Sequence, residues 1–208
     1  MSAKQEILSR IRSAQKQAGL PTHVDVPREY ITEGTLGREE LKEMLIDRLE
    51  DYKADVRVTD EAALPQAIAD VLRDRDCHVV RYAPGMDPGL LGEFSGDVKP
   101  DDVEADPRLL NEVDAVVTES HVSCAQTGTI VLESNELCGR RAFTLVPDRH
   151  VVIVRAESVV FGIPEMVSRI DRVRPATWIS GPSATSDIEL SRVEGVHGPR
   201  DLICILVY

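Results

Sequence analysis

The chain has 208 residues, of which 42% are hydrophobic and 29% are charged, a composition typical of a globular protein with enough apolar material for a sizeable core. Its 24 basic and 36 acidic residues give a formal net charge of −12, so it lacks the positive field that attracts nucleic acid or anionic lipid. No run approaches the roughly 20 apolar residues of a membrane span, and residues 1–19 lack the apolar stretch of a secretory signal. We therefore expect one compact cytoplasmic unit that binds neither nucleic acid nor membrane.

The charge is spread unevenly along the chain. Residues 61–119 carry 5 basic and 14 acidic residues, whereas residues 120–208 carry 9 and 10. All the bases after position 119 are arginines, because the last lysine is Lys99. Since a guanidinium is always charged and can bind a carboxylate through two hydrogen bonds, we expect the arginine-containing half to bind a small anion and the acidic segment to be a docking face.

Two helices are predicted at the N-terminus. Ile7, Leu8 and Ile11 recur at helical spacing before the stop at Gly19, and residues 41–49 show the same apolar periodicity. We therefore predict a helical lead-in over residues 1–50, packed on a main domain that covers residues 51–208.

From Ala54 onward the pattern changes to alternating strands and helices. Residues 54–59 and 77–82 are predicted strands with a helix at 62–73 between them, an order typical of a parallel βαβ unit. Residues 84–107 are rich in Pro, Gly and Asp, which predicts a loop with a short helix at most.

The second half of the chain contains continuous β-branched runs that suit strands buried on both faces. A helix is predicted at residues 163–170. The predicted strands are residues 114–119, 129–134, 142–147, 150–155, 176–180 and 202–207. The sequence therefore predicts an α/β fold with a mixed, largely parallel sheet.

Two loops directly follow predicted strands, where ligands bind in open α/β sheets. The first begins at Glu119 and ends with Thr127, Gly128 and Thr129. One interpretation is a tight turn in which Gly128 supplies an unusual backbone angle. The other adds Glu119 as a catalytic carboxylate that acts as general acid, base or nucleophile.

The second loop, residues 181–189, reads GPSATSDIE. Glycine permits close backbone approach, the hydroxyls donate hydrogen bonds, and the predicted helix that follows has free N–H groups, so the loop can hold a carboxylate or a phosphate. Ser186 and Glu189 also have the spacing of a helix capping box. The candidate ligand-binding residues here are Gly181, Pro182, Ser183, Thr185, Ser186 and Asp187.

Three further residues are candidates for contact with a ligand. Glu194 and His197 lie in an irregular stretch over residues 192–200, where a histidine can equally be a hydrogen-bonded structural residue. Arg141 could clamp a carboxylate, or lie in a solvated turn. No histidines have metal-binding spacing, and the four cysteines form no C-x-x-C pair, so we expect neither a metal nor an iron–sulfur cluster in this chain.

Four ordered motifs resemble the LutC family of lactate utilization proteins, within the larger LUD domain family. Together they span 73 residues, from 127 to 199, which is far more specific than a single glycine motif. They are TGTIVL at 127–132, Arg141 with LVP at 145–147 and His150, ISGPSATSDIE at 179–189, and VEGVHGP at 193–199. One departure is Gln126, where the family often has an acidic residue; the resemblance then favours hydrogen bonding over acid or base chemistry at this position.

The resemblance implies a three-layer α/β fold similar to the phosphosugar isomerase and CoA-transferase-like superfamily. It also implies a role in oxidising L-lactate to pyruvate with two partner proteins that hold iron–sulfur clusters, while this chain binds no cofactor itself. Two alternatives stay open. One is a stand-alone enzyme, similar to a CoA-transferase or a sugar-phosphate isomerase, that uses Glu119. The other is a non-catalytic scaffold subunit.

Overall fold

The computed structural model describes residues 2–21, 23–185, 193–194 and 198–208. The chain divides into two compact units, Met1–Ile31 and Thr32–Tyr208. The first unit contains helix α1 (Ala3–Gln17), which begins with a capping box formed by Ser2 and Gln5 and buries none of its residues. The packing of α1 on the main domain stays a prediction.

The second unit contains three α-helices and twelve strands among its described residues. The helices are α2 (Arg38–Asp51), α3 (Leu64–Asp74) and α4 (Ile163–Arg169), and short 3-10 helices cover Pro88–Leu91, Pro107–Glu112, Arg141–Thr144 and Ala156–Ser158. The strands are β1 (Asp55–Thr59), β2 (Val79–Tyr82), β3 (Asp97–Pro100), β4 (Ala115–Glu119), β5 (Val122–Cys124), β6 (Thr129–Glu133), β7 (Arg149–Arg155), β8 (Val159–Val160), β9 (Ala176–Ile179), β10 (Ala184–Thr185), β11 (Val193–Glu194) and β12 (Asp201–Val207).

Six strands form the main sheet, in the order β1–β12–β7–β4–β2–β3, and every neighbouring pair is parallel. All six strands therefore begin at one edge and end at the other, which we call the amino edge and the carboxyl edge. In the central strand β7 the interior residues are all buried, as expected for a β-branched run covered on both faces.

A second sheet has the order β8–β5–β6–β9, with β6 antiparallel to both of its neighbours. Strands β10 and β11 form a separate antiparallel pair. The hairpin of β5 and β6 follows directly on β4, so the chain passes from the carboxyl edge of the main sheet straight into the second sheet.

Layers of apolar side chains cover both faces of the main sheet. Along β7, Val151 and Ile153 pack in a cluster with α3, whereas Val152 and Val154 pack in another with α2 and the second sheet. This alternation follows from the two-residue period of a strand. Helix α4 packs on the far side of the second sheet through the buried Met166.

The predicted α/β fold with a largely parallel sheet is confirmed. The strand predicted at 142–147 is wrong, since Arg141–Thr144 form a 3-10 helix. Both sides of β7 are already occupied by β4 and β12, and Phe143 is buried without joining a sheet. The loop predicted at 84–107 contains an edge strand, β3. No helix in the described ranges has both the length and the apolar character needed to cross a bilayer.

Candidate functional site

The two loops predicted to bind a ligand meet beside the last turn of α2. Strands β6 and β9 pair antiparallel with Ile130 opposite Ile179, so the start of β6 lies beside the end of β9. The hydroxyl oxygen of Thr129 is 2.9 Å from that of Ser180 and 2.8 Å from that of Thr127. Three hydroxyls therefore join the first loop to the start of the second.

Two glycines permit this arrangement. Gly128 has a φ of +60° and Gly181 a φ of +86°, angles that side chains with a Cβ rarely adopt. A Cβ on Gly128 would lie 2.9 Å from the Cβ of Arg48, and one on Gly181 would lie 2.6 Å from the Cβ of Tyr52. Because both glycines pack against the end of α2, the two loops are held at a fixed distance from each other.

The position of this site differs from the one expected for an open α/β sheet. Helix α2 ends at Asp51, just before β1 begins, so its last turn lies at the amino edge of the main sheet. The loop at 181–189 does follow a strand, but that strand is β9 of the second sheet. The backbone of Ser183 donates a hydrogen bond of 2.7 Å to the carbonyl of Pro199, two residues before β12 begins.

The third candidate patch is brought to the second loop through the backbone. Ala184 pairs with Glu194, and Thr185 pairs with Val193, in the β10–β11 ladder. Gly181 is buried and Pro182 is half-buried. Ser186, Asp187 and His197, and with them the capping box predicted for Ser186 and Glu189, lie outside the described residues.

Glu119 lies at the other end of the β5–β6 hairpin. Its backbone N–H donates to the carbonyl of Leu137, which follows β6, whereas Thr127 and Gly128 lie in the turn that precedes β6. The Glu119 carboxylate accepts hydrogen bonds of 3.1 and 3.2 Å from Arg155, which also pairs with Glu61. These hydrogen bonds raise the pKa of Arg155. The structure therefore places Glu119 in an ion pair, away from the turn at residues 127–129, which we call the threonine turn.

Arg141 lies in the 3-10 helix before β7 and is exposed. Within the described part of the chain its guanidinium forms no ion pair or side-chain hydrogen bond, unlike that of Arg140, which binds Asp101 at 2.8 and 3.1 Å. Leu145, four residues further on, lies near Gly198. No hydrogen bond or ion pair between described residues joins Arg141 to the threonine turn.

Sequence reasoning did not single out three residues of this region: Ser180, which ends the hydroxyl chain, and Arg48 and Tyr52, which pack against its two glycines. Ser180 had a signal, because it is a hydroxyl residue at the end of a predicted strand and directly precedes Gly181. Arg48 and Tyr52 had none, since they lie in α2 and directly after it, far from either loop in the sequence, and reach the site only through packing.

His150, part of one of the four motifs, is fully buried in β7. Its Nε2 lies 2.8 Å from the Thr118 hydroxyl, and its Nδ1 has no hydrogen-bond partner among the described residues. Burial lowers the pKa of His150 to about 4. His150 is therefore a neutral core residue at physiological pH.

Comparisons with known proteins agree with the motifs. The family model of the LUD domain matches residues 42–207. The chain is 37% identical to lactate utilization protein C of Deinococcus radiodurans, over 99% of this chain and 95% of that protein. It is 25% identical to lactate utilization protein C 1 of Bacillus mycoides, over 83% and 81%. A crystal structure of a DUF162 family protein from Deinococcus radiodurans has a TM-score of 0.70 at 34% identity and covers 83% of this chain and 99% of that chain.

Proposed function

Because this chain belongs to the LUD domain family, we propose that it acts in lactate utilization and binds a small carboxylate or another anionic ligand. The names of its relatives in Deinococcus radiodurans and Bacillus mycoides support the role. The observation that supports the binding site is the chain of hydroxyls from Thr127 through Thr129 to Ser180.

The chemistry of this hydroxyl chain suits a small anion. Hydroxyls and backbone N–H groups donate hydrogen bonds to carboxylate oxygens. Thr129 is buried, Thr127 is half-buried and Ser180 is exposed, so the chain of donors leads from the interior to solvent. The backbone beside the hydroxyl chain belongs to Gly128, Gly181, Pro182 and Ser183. The proposed ligand contacts extend to Arg141, Thr185, Ser186, Asp187, Glu194 and His197.

We extend the proposal to the oxidation of L-lactate to pyruvate. This reaction releases two electrons and two protons, so it requires an electron acceptor. We propose that two iron–sulfur partner proteins accept the electrons and that this chain contributes the anion site. Its cysteines are buried free thiols, which is typical of a reducing compartment and supports a cytoplasmic location.

Growth on L-lactate tests the role. A strain without this gene should fail to grow on L-lactate and grow normally on pyruvate, and the wild-type gene should restore growth. Normal growth of the deletion strain on L-lactate would overturn the role in lactate utilization.

Calorimetric titration of the purified protein with L-lactate and pyruvate tests the site. Thr129→Val removes the central hydroxyl while keeping the side-chain shape, and should weaken binding by about tenfold, since one hydrogen bond to a charged group contributes roughly 1.5 kcal/mol. Thr177→Val makes the same change in β9, away from the turn, and should bind as the wild type does. Absence of binding to wild-type protein, together with co-purification of the iron–sulfur partners, would favour a scaffold subunit.

The stand-alone enzyme that uses Glu119 is less well supported, because Arg155 holds the carboxylate in two hydrogen bonds. Turnover of an acyl-CoA or a sugar phosphate by the purified protein alone, abolished in Glu119→Gln, would favour that alternative over the one proposed.

A further inference from the structure

A small cavity lies at the carboxyl edge of the main sheet. Its volume is about 290 Å³, close to the lower limit of roughly 300 Å³ for sites that bind small molecules. Tyr208 directly follows β12 and Ala156 directly follows β7, so both lie at the ends of parallel strands, where ligands bind in open α/β sheets. The lining residues are Arg38, Leu41, Ala156, Glu157, Val159 and Tyr208.

The Tyr208 hydroxyl is a buried polar group without a protein partner. Its oxygen forms no hydrogen bond with any residue that the structure describes. Burial raises the pKa of Tyr208, so the hydroxyl keeps its proton at physiological pH and can donate a hydrogen bond. Because an unpaired buried hydroxyl costs free energy, a bound molecule that accepts this hydrogen bond would remove that cost.

Arg38 brings an unpaired positive charge to the cavity. Its guanidinium carbon lies 5.2 Å from the centroid of the Tyr208 ring, and within the described ranges its side chain forms no ion pair or hydrogen bond. The Lys42 ammonium lies at the same distance from the ring, but it pairs with Glu39. The Arg38 guanidinium is therefore available to bind a carboxylate through two hydrogen bonds.

Glu157 brings an unpaired negative charge to the same cavity. Its carboxylate has no ion-pair or hydrogen-bond partner in the described part of the chain, and it does not pair with Arg38 although both residues line the cavity. The side chains of Leu41, Ala156 and Val159 make the rest of the lining largely apolar. A ligand that complements this lining has one negative group, one positive group and a short apolar part.

We propose that this cavity binds a small zwitterion, an α-amino acid with an apolar side chain. Arg38 and Tyr208 donate hydrogen bonds to its carboxylate, Glu157 accepts hydrogen bonds from its ammonium group, and Leu41 and Val159 contact its side chain. Helix α2 begins at Arg38 and is about 20 Å long, so the cavity and the threonine turn lie at opposite ends of this helix. The inference does not depend on the proposed function.

Calorimetric titration of the full chain with L-leucine tests the site. Two analogues separate the two charges of the ligand: isocaproate lacks the ammonium group of leucine, and isoamylamine lacks its carboxylate. Each analogue should bind at least about tenfold more weakly than L-leucine, because it leaves one charge of the lining unpaired. Thr129→Val should bind L-leucine as the wild type does, which distinguishes this cavity from the threonine turn.

Substitutions in the lining test the role of each group. Arg38→Gln and Glu157→Gln should each weaken L-leucine binding at least about tenfold, and Tyr208→Phe about fivefold. Glu157→Gln should not weaken isocaproate binding, because isocaproate has no ammonium group. Arg108→Gln and Glu93→Gln make the same changes outside the lining and should bind L-leucine as the wild type does. Circular dichroism and thermal unfolding verify that each variant is folded. A wild-type protein that does not bind L-leucine, or that binds isocaproate equally well, would overturn the proposal.

Discussion

Glu119 shows how the facing side chain decides what a carboxylate can do. Its position at the end of a strand marks it as a candidate catalytic residue, but Arg155 approaches it from the neighbouring strand β7 with two hydrogen bonds. The Glu119 side chain is only 14% exposed, so solvent weakens this pair little. We expect the pair to stabilise the carboxyl edge of the main sheet.

Replacing Glu119 by Gln should lower the free energy of unfolding by about 2 kcal/mol, because a mostly buried arginine loses a charged partner. Glu61→Gln is the control, since Glu61 contacts the same arginine but is 64% exposed, and it should cost less than about 1 kcal/mol. Urea denaturation measures both values. Equal losses in the two variants would contradict the assigned role of burial.

His150 makes the stability of the protein depend on pH. Its folded pKa of about 4 lies below the ordinary value of 6.5, so between these values the unfolded chain binds a proton at His150 that the folded chain does not. Stability from this residue is therefore complete above pH 6.5 and falls as the pH decreases towards 4, by about 3 kcal/mol in all. His150→Gln should flatten this part of the pH profile, measured as urea midpoints from pH 8 to pH 4. Parallel profiles for variant and wild type would show that His150 does not titrate in this way.

At the scale of elements, the turn before β6 depends on its contact with α2. Gly128 combines a left-handed backbone with close approach to Arg48. A side chain at this position would therefore both strain the backbone and overlap with Arg48. The turn and the helix therefore constrain each other, and the hydroxyls of the site depend on both.

Gly128→Ala should lower the free energy of unfolding by about 2 to 4 kcal/mol, as the sum of backbone strain and overpacking. It should also weaken ligand binding, because the turn must move. Gly19→Ala is the control: Gly19 has a similar φ of +63°, but a Cβ there would have no atom within 4 Å. It should cost only the backbone strain, about 1 kcal/mol. Thermal unfolding compares the two, and a Gly128→Ala protein as stable as Gly19→Ala would contradict the packing argument.

The elements that the sequence predicted correctly are those with strong local patterns. The apolar runs of β7 and β12 and the amphipathic helix α3 need little context, because their own residues define which faces are buried. The errors come from competition for sheet positions. The apolar residues 142–147 cannot pair with β7, because β4 and β12 already pair with it on both sides. The polar residues of β3 form a strand because β2 has one side left unpaired by β4.

At the scale of the whole molecule, different groups of residues lie at the two edges of the main sheet. The amino edge lies beside the end of α2 and the threonine turn, and the Glu119–Arg155 pair lies at the carboxyl edge. The sequence suggested one site that includes Glu119, since both candidate loops follow predicted strands. The second sheet separates Glu119 from Thr127, because the β5–β6 hairpin takes the chain away from Glu119 before it reaches Thr127.

The sequence by itself determined the fold class, the family and the two loops of the candidate site, because periodicity and short motifs are properties of neighbouring residues. Only the tertiary structure decided that the Thr129 hydroxyl contacts that of Ser180 and that Gly128 and Gly181 pack against the end of α2. It also decided that Arg155 forms an ion pair with Glu119. These contacts join residues far apart in the chain, and their distances depend on strand order and packing, which no local pattern specifies.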